Sequence, residues 1–142
     1  MEFNNKQEKG IKRLACEHRF NCYTARAYLR YDGRCAYCGV DLLKDPLSYA
    51  AGTIDHLLPR TKYPDYIEHM DNYTLCCTSC NSIKGAMDVL LPEEDPKSML
   101  EDDEKKKKLI ERVQAEIQAQ REKNEEIRRS VCAIVYEANR KE

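Results

Sequence analysis

Residues 35–39 read Cys-Ala-Tyr-Cys-Gly, and residues 77–81 read Cys-Thr-Ser-Cys-Asn. Each stretch places two cysteines on one tight turn, so both thiolates can bind the same metal ion. Two such turns complete a tetrahedral site, and four cysteine ligands leave no open coordination position. The pattern therefore predicts a structural zinc ion. Its ligands would be Cys35, Cys38, Cys77 and Cys80.

The remaining composition supports a metal site over disulfides. No stretch approaches the ~18 apolar residues that a membrane span needs, and the polar N-terminus lacks the apolar run of a signal peptide. We therefore expect a cytoplasmic protein, in which disulfides are rare. The alternative is a set of reduced core cysteines. A redox pair is disfavoured, because no βαβ pattern surrounds either turn.

Four further cysteines lie outside the two CxxC pairs. We expect Cys16, Cys22 and Cys132 to be small buried residues, since free cysteine behaves as a small hydrophobe. Cys76 directly precedes Cys77 and is the one position that could compete with it as a metal ligand.

The charge is unevenly distributed along 142 residues whose formal net charge is −1. Residues 1–34 carry a net charge of +4, residues 35–96 carry −6, and residues 97–142 carry +1. This excludes a strongly basic, histone-like binder and an acidic disordered tail. It also marks residues 35–96, which include both cysteine turns, as an acidic centre.

Local signals divide the chain into four segments. They are an N-terminal helical flank (1–33), a core (34–91), a linker (92–97) and a C-terminal helical segment (98–142). In the flank, Thr24 is a plausible N-cap after a break near residues 21–22. In the core we expect short strands over 53–56 and 72–75. Thr78 should then cap a helix over 79–89.

The C-terminal segment shows the clearest helical pattern in the chain. Ser98 and Glu101 have the spacing of a capping box. An apolar seam then follows alternating steps of three and four, which indicates a coiled coil. Gln120 and Asn124 are polar positions in this seam. Either they fix the register of a paired helix, or the chain bends there into a helical hairpin. The seam consists of Ile110, Val113, Ile117, Gln120, Asn124, Ile127, Val131, Ile134 and Ala138.

The segment between the cysteine turns and just past the second turn carries residues suited to phosphodiester chemistry. Such chemistry needs an activated water and an ion that offsets the charge of the phosphate and of the leaving oxygen. Hard ions such as Mg²⁺ prefer oxygen ligands, which Asp55 and Asn81 could supply. His56 titrates near neutral pH and could take a proton from water. Asp55 and His56 can share one site only if the strand ends or twists there, because adjacent strand residues point to opposite faces.

Taken in order, these motifs resemble the HNH endonucleases of the ββα-metal type, in the zinc-stapled four-cysteine subgroup. The matching anchors are a CxxC turn, Asp55-His56 at the end of a strand, Asn72, and Cys-x-x-Cys-Asn-x-x-Lys at residues 77–84. The resemblance covers about residues 34–86. It implies an α+β fold, with a small ββα-metal core between N-terminal helices and the long C-terminal helix. The loop after Arg60 is bulkier than in many members, which affects substrate access and sequence preference.

The resemblance also implies residue roles. His56 would be the general base, and Asn72 would hold the loop between the strands and orient His56. Asp55 and Asn81 would bind a catalytic Mg²⁺ or Mn²⁺. The activity would be DNA hydrolysis, by nicking or double-strand cutting, with 5′-phosphate and 3′-hydroxyl products. The host context would be prokaryotic or phage-type.

Three basic residues are candidates for contacts with DNA phosphates. Phosphate binding needs local positive charge, and Arg60, Lys62 and Lys84 are close in sequence to the expected site. A homodimer through the C-terminal helix would place two sites on one DNA duplex. The rival functions are a zinc-framed DNA-binding module without catalysis, and an effector subunit recruited through its C-terminal helix.

Overall fold

The computed structural model describes residues 2–140, which form a mixed α+β fold with a small sheet and a long C-terminal helix. Two short 3-10 turns, at Pro64–Tyr66 and Met70–Asn72, lie between the strands. The helices and strands in chain order are α1 (Asn5–His18), α2 (Cys22–Arg30), α3 (Pro46–Ala50), β1 (Gly52–His56), β2 (Tyr73–Cys77), α4 (Thr78–Lys84), α5 (Pro96–Glu101) and α6 (Asp103–Ala138).

The sheet consists of β1 and β2 paired antiparallel, with Gly52 opposite Cys77 and His56 opposite Tyr73. Both strands lie within two residues of the predicted ranges. Helix α4 follows β2 without a loop, which gives a strand-strand-helix unit. The predicted continuation of α4 to residue 89 is wrong, because Gly85 ends the helix with a positive φ of 51°. The N-cap is the Cys77 sulfur rather than Thr78.

The N-terminal helices form a hairpin that packs beside the sheet. Asn21 caps α2 by accepting a hydrogen bond from the Thr24 backbone N–H. The predicted Thr24 cap is therefore wrong, because the helix starts at Cys22 and its cap lies three residues before Thr24. Within residues 2–140, none of the helices combines the length and the apolar character that crossing a bilayer requires.

The predicted helix start at Ser98 is also corrected. Asp95 caps α5, and the chain leaves the helical conformation at Asp102, which caps α6 through its own side chain. Each aspartate accepts a hydrogen bond from the backbone N–H three residues later in the chain. Each therefore favours a helix start of its own.

Helix α6 is continuous over 36 residues, which corresponds to about 54 Å. Gln120 and Asn124 are bonded to each other along one helix face at 3.1 Å. The chain does not bend there, so the helical hairpin is wrong.

The hydrophobic core joins the two halves of the chain. Leu57, Leu58 and Leu75 of the central segment are fully buried. They belong to the same buried cluster as residues of α5 and the first half of α6, namely Leu100, Leu109, Val113 and Ile117. The first half of the predicted seam therefore packs on this chain's own core. The second half, from Ile127 onward, is exposed.

Candidate functional site

The two cysteine turns meet in space. The sulfur atoms of Cys35, Cys38, Cys77 and Cys80 all lie within 4.8 Å of one another. A zinc ion bound at about 2.3 Å by four sulfurs requires sulfur atoms roughly 3.8 Å apart. The Cys38 and Cys77 sulfurs are 3.8 Å apart. The cluster therefore has the ligand set and the size to hold a metal ion such as zinc.

The two turns also share one local geometry. The backbone N–H of Cys38 lies 3.4 Å from the Cys35 sulfur, and the N–H of Cys80 lies 3.4 Å from the Cys77 sulfur. In each turn the first sulfur accepts from the backbone of the second cysteine, and this closes the turn.

The other cysteines are separate from this cluster. Cys76 is fully buried and alternates with Cys77 along β2, so it points to the opposite face. Burial raises the pKa of the Cys76 thiol, which favours the neutral form. Cys16 and Cys22 are exposed and Cys132 is half-buried. Burial of these three was expected, and that expectation is wrong for Cys16 and Cys22.

A cleft of about 390 Å³ opens where β1 ends against α4. It brings together Asp55, His56 and Asn81, three of the residues singled out from the sequence, together with Arg60. Strand β1 ends at His56, and both Asp55 and His56 line this cleft. The full lining is Ile54, Asp55, His56, Pro59, Arg60, Thr61, Asn81, Gly85 and Ala86.

The His56 ring is held in one tautomer. Its Nε2 lies 2.9 Å from the carbonyl oxygen of Ile67. A carbonyl can only accept, so Nε2 carries the proton and Nδ1 keeps a free lone pair in the neutral ring. Among residues 2–140, none bonds Nδ1. Burial lowers the pKa of His56 below its usual value of 6.5. The neutral ring, with an available basic nitrogen, is therefore the dominant form at pH 7.

Aromatic packing supports the same ring. Tyr73 lies across the strand pair from His56, with ring centroids 4.9 Å apart. Tyr23 of α2 stacks on the other side of Tyr73 at 4.4 Å. Helix α2 thus contacts the tyrosine that packs against His56, although neither Tyr23 nor Tyr73 lines the cleft.

The Asp55 carboxylate is buried and fixed through one oxygen. Tyr37 donates to Oδ2 at 2.7 Å, and the Lys84 ammonium lies 3.0 Å from the same oxygen. The other oxygen, Oδ1, has no hydrogen-bond partner among the described residues. An oxygen ligand for a cation is therefore available at the cleft. Sequence reasoning missed Tyr37, although its place inside the first cysteine turn was a usable signal.

Asn72 connects the loop after β1 to the start of β2. Its side-chain oxygen accepts from the Leu58 N–H at 2.7 Å, and its amide nitrogen donates to the carbonyls of Leu58 and Tyr66 at 3.1 Å. Its own carbonyl accepts from the Leu57 N–H. Asn72 is fully buried. It fixes the backbone directly after His56 and the loop that carries the Ile67 carbonyl.

The three predicted phosphate contacts have different surroundings. Arg60 is exposed on the cleft wall. Lys62 is exposed and forms an ion pair with Asp88 at 2.5 Å. Lys84 is buried, with its ammonium bonded to Asp55 and to the His56 carbonyl oxygen. The predicted Lys84 phosphate contact is therefore wrong, because this cation is enclosed within the protein.

Replacing Lys84 with methionine should destabilise the protein by about 3–5 kcal/mol, because the Asp55 charge would stay buried without its cation. The measurement is urea unfolding of wild type and variant under the same conditions. Lys62→Met is the matched control, since an exposed ion pair contributes about 0–1 kcal/mol. Equal losses in the two variants would contradict the structural role of Lys84.

The second histidine of the core segment, His69, has two hydrogen-bond partners. Its Nδ1 accepts from the Asp71 N–H, and its Nε2 lies 3.1 Å from a Glu101 carboxylate oxygen. It joins the second 3-10 turn to α5 and does not line the cleft.

Comparisons of the chain with protein-family models, with curated proteins and with solved structures found no match. The functional interpretation therefore rests on the geometry of the site.

Proposed function

We propose that this chain is a metal-dependent HNH endonuclease that hydrolyses DNA phosphodiester bonds. The observation that carries the proposal is the cleft in which Asp55, His56 and Asn81 meet. Buried Asn72 holds the adjoining loop, and the four-cysteine cluster lies at the opposite end of the same two strands. A lone Asp-His pair would carry little weight. The convergence of all these residues supports the proposal.

The four-cysteine cluster would hold a structural zinc ion. Its sulfurs have the spacing that tetrahedral coordination requires. The four cysteines would occupy all four coordination positions of the ion. Zinc would stabilise a segment whose two five-residue strands are too short to be stable by burial alone.

Asp55 and Asn81 would hold the catalytic Mg²⁺ or Mn²⁺. Their oxygens suit a hard cation that retains several of its waters. When bound, this ion would offset charge on the phosphate and on the leaving oxygen.

This chain's own residues would perform the remaining steps. His56 Nδ1 would accept a proton from the attacking water, since Nε2 is occupied by the Ile67 carbonyl. Arg60, on the cleft wall, would bind a phosphate oxygen. Attack of water at phosphorus with loss of the 3′ oxygen gives a 5′-phosphate and a 3′-hydroxyl.

The test is a cleavage assay on supercoiled plasmid and on single-stranded DNA, with Mg²⁺, with Mn²⁺ and with EDTA. Wild type should nick or cut plasmid only with a divalent ion, and end-labelling should show 5′-phosphates. A His56→Ala preparation purified in parallel controls for contaminating nucleases. Tight DNA binding without cleavage in any divalent ion would instead favour the non-catalytic zinc-framed binding module.

A second copy of this chain is the partner that fits the distal half of α6. We call Ile127, Val131 and Ile134 the distal seam, and these residues are 63%, 52% and 66% exposed. They follow the heptad spacing of a coiled coil, so a second helix with the same spacing would cover them. Two sites in such a dimer would allow both DNA strands to be cut.

Replacing Ile127 and Ile134 together with glutamate should convert a dimer into a monomer, because two charges would be buried at the pairing face. Sedimentation across a dilution series measures the mass. Leu47→Glu is the matched control, since Leu47 is 83% exposed and lies outside α6. A wild-type mass of one chain at every concentration would exclude the dimer and favour recruitment to a different protein.

A further inference from the structure

Helix α6 contacts both cysteine turns through polar side chains on one face. Gln114 donates from Nε2 to the carbonyl oxygen of Ala36, inside the first turn, at 2.8 Å. Arg121 donates from Nη2 to the Cys80 sulfur at 3.1 Å and to the Ser79 hydroxyl at 3.1 Å. Residues 114 and 121 are two helical turns apart, so they project on the same side of α6. The helix therefore bridges the two halves of the candidate metal site.

Buried apolar residues hold helix α6 in place between these two contacts. Ile117 lies between Gln114 and Arg121 along the helix face and is almost completely buried in the core. Val113 is fully buried beside it. The backbone that carries both polar side chains is thus fixed by packing, and neither contact depends on a freely moving helix.

The charge of the site explains why a guanidinium lies there. Four thiolates around one Zn²⁺ carry a net charge of −2, and three of the four cysteines are buried. A hydrogen bond from a cationic donor to a thiolate is a charge-assisted bond. It offsets part of this charge and orients the sulfur. Removing a residue that hydrogen-bonds a metal ligand typically lowers metal affinity by 10–100-fold.

We propose that Arg121, assisted by Gln114, is a positioning residue that retains zinc in the four-cysteine site. This inference rests on the proposed zinc site and adds to it a dependence on the C-terminal helix. Without Arg121, the Cys80 thiolate loses its charged donor. Without Gln114, the first turn loses its link to α6. Either loss makes it easier for a turn to open and release the ion.

The experiment measures zinc release from the full-length, zinc-loaded chain after addition of an excess of a chromogenic chelator. Arg121→Gln should release zinc about 10-fold faster than wild type. Alkylation of Cys80 by iodoacetamide, followed by mass spectrometry, should accelerate in parallel. Arg129→Gln is the matched control, because Arg129 lies on the same helix, is 75% exposed and pairs with Glu125. It should release zinc at the wild-type rate.

The outcomes separate the inference from the proposed zinc site. A wild-type chain that binds no zinc would overturn both. A zinc-loaded wild type and an Arg121→Gln variant with equal release rates would overturn the inference alone. If Arg121→Gln does not fold, Gln114→Leu decides. Faster release from that variant supports the bridging role, and a wild-type rate overturns it.

Discussion

Replacing His56 with alanine is expected to lower the rate of DNA cleavage by about 10²–10⁴-fold, the usual contribution of a general base. The structure supplies the reason in the hydrogen bond from Nε2 to the Ile67 carbonyl, which leaves Nδ1 as the basic nitrogen. Burial lowers the pKa of His56, so wild type already has the reactive neutral form at pH 7. Alanine removes the base, whereas Asp55 and Asn81 keep their positions.

The measurement is the initial rate of plasmid cleavage in saturating Mg²⁺. His69→Ala is the matched histidine control, since His69 bonds Asp71 and Glu101 and lies outside the cleft. It should retain a rate near that of wild type. Thermal melting should show that both variants fold. If His56→Ala and His69→Ala cleave equally well, His56 is not the base.

The central segment was the part of the fold most accessible from sequence. Metal-ligand spacing and strand-ending residues are local signals, and both short strands occur within two residues of their predicted ranges. Asp55, His56 and Asn81 line one cleft, although they come from a strand end and a helix. The resemblance to the HNH order of motifs implied that they would meet, whereas no local signal by itself predicts this contact.

The burial of individual polar side chains could not be predicted from the sequence in the same way. Lys84 follows Asn81 by one helical turn, and the sequence offers no sign that its ammonium reaches back to Asp55. That contact joins positions 29 residues apart, and it depends on how α4 packs against β1. Tyr37 is similar, because its hydroxyl contacts Asp55 only once the first cysteine turn is in place.

The seam of α6 shows a different limit. Heptad spacing predicts that a helix face is covered, but it does not say what covers it. Val113 and Ile117 are buried against this chain's own core, whereas Ile127 and Ile134 are exposed. The heptad pattern thus continues from a buried part of the helix into an exposed part. Only the tertiary structure shows where the burial ends.

Removing the proposed zinc ion is expected to have the second large effect, although the four cysteines lie outside the candidate cleft. Cys38→Ser should abolish stable zinc binding and lower the melting temperature by at least about 10 °C, since bound zinc contributes directly to the folding free energy. Differential scanning fluorimetry combined with metal analysis measures both quantities. Cys16→Ser is the matched control, because Cys16 is an exposed cysteine outside the cluster. It should keep its zinc and its melting temperature.

Cleavage should fall together with zinc, and the structure indicates the route. Tyr37 lies inside the first cysteine turn and donates to the Asp55 carboxylate at 2.7 Å. When the turn opens, Asp55 loses one of the two contacts that hold Oδ2 and keeps only the Lys84 ammonium, so the carboxylate proposed to bind the divalent ion is less firmly held. Adding Mg²⁺ to Cys38→Ser should therefore not restore the rate.

Tyr37→Phe separates the two roles of the turn, because it removes the hydroxyl but leaves all four cysteines in place. It should bind zinc and melt close to wild type, yet require more Mg²⁺ for half-maximal cleavage. A Tyr37→Phe variant with an unchanged Mg²⁺ requirement would show that zinc supports cleavage only by stabilising the fold. A raised requirement at full zinc occupancy would link the structural metal to the catalytic cleft through this single hydrogen bond.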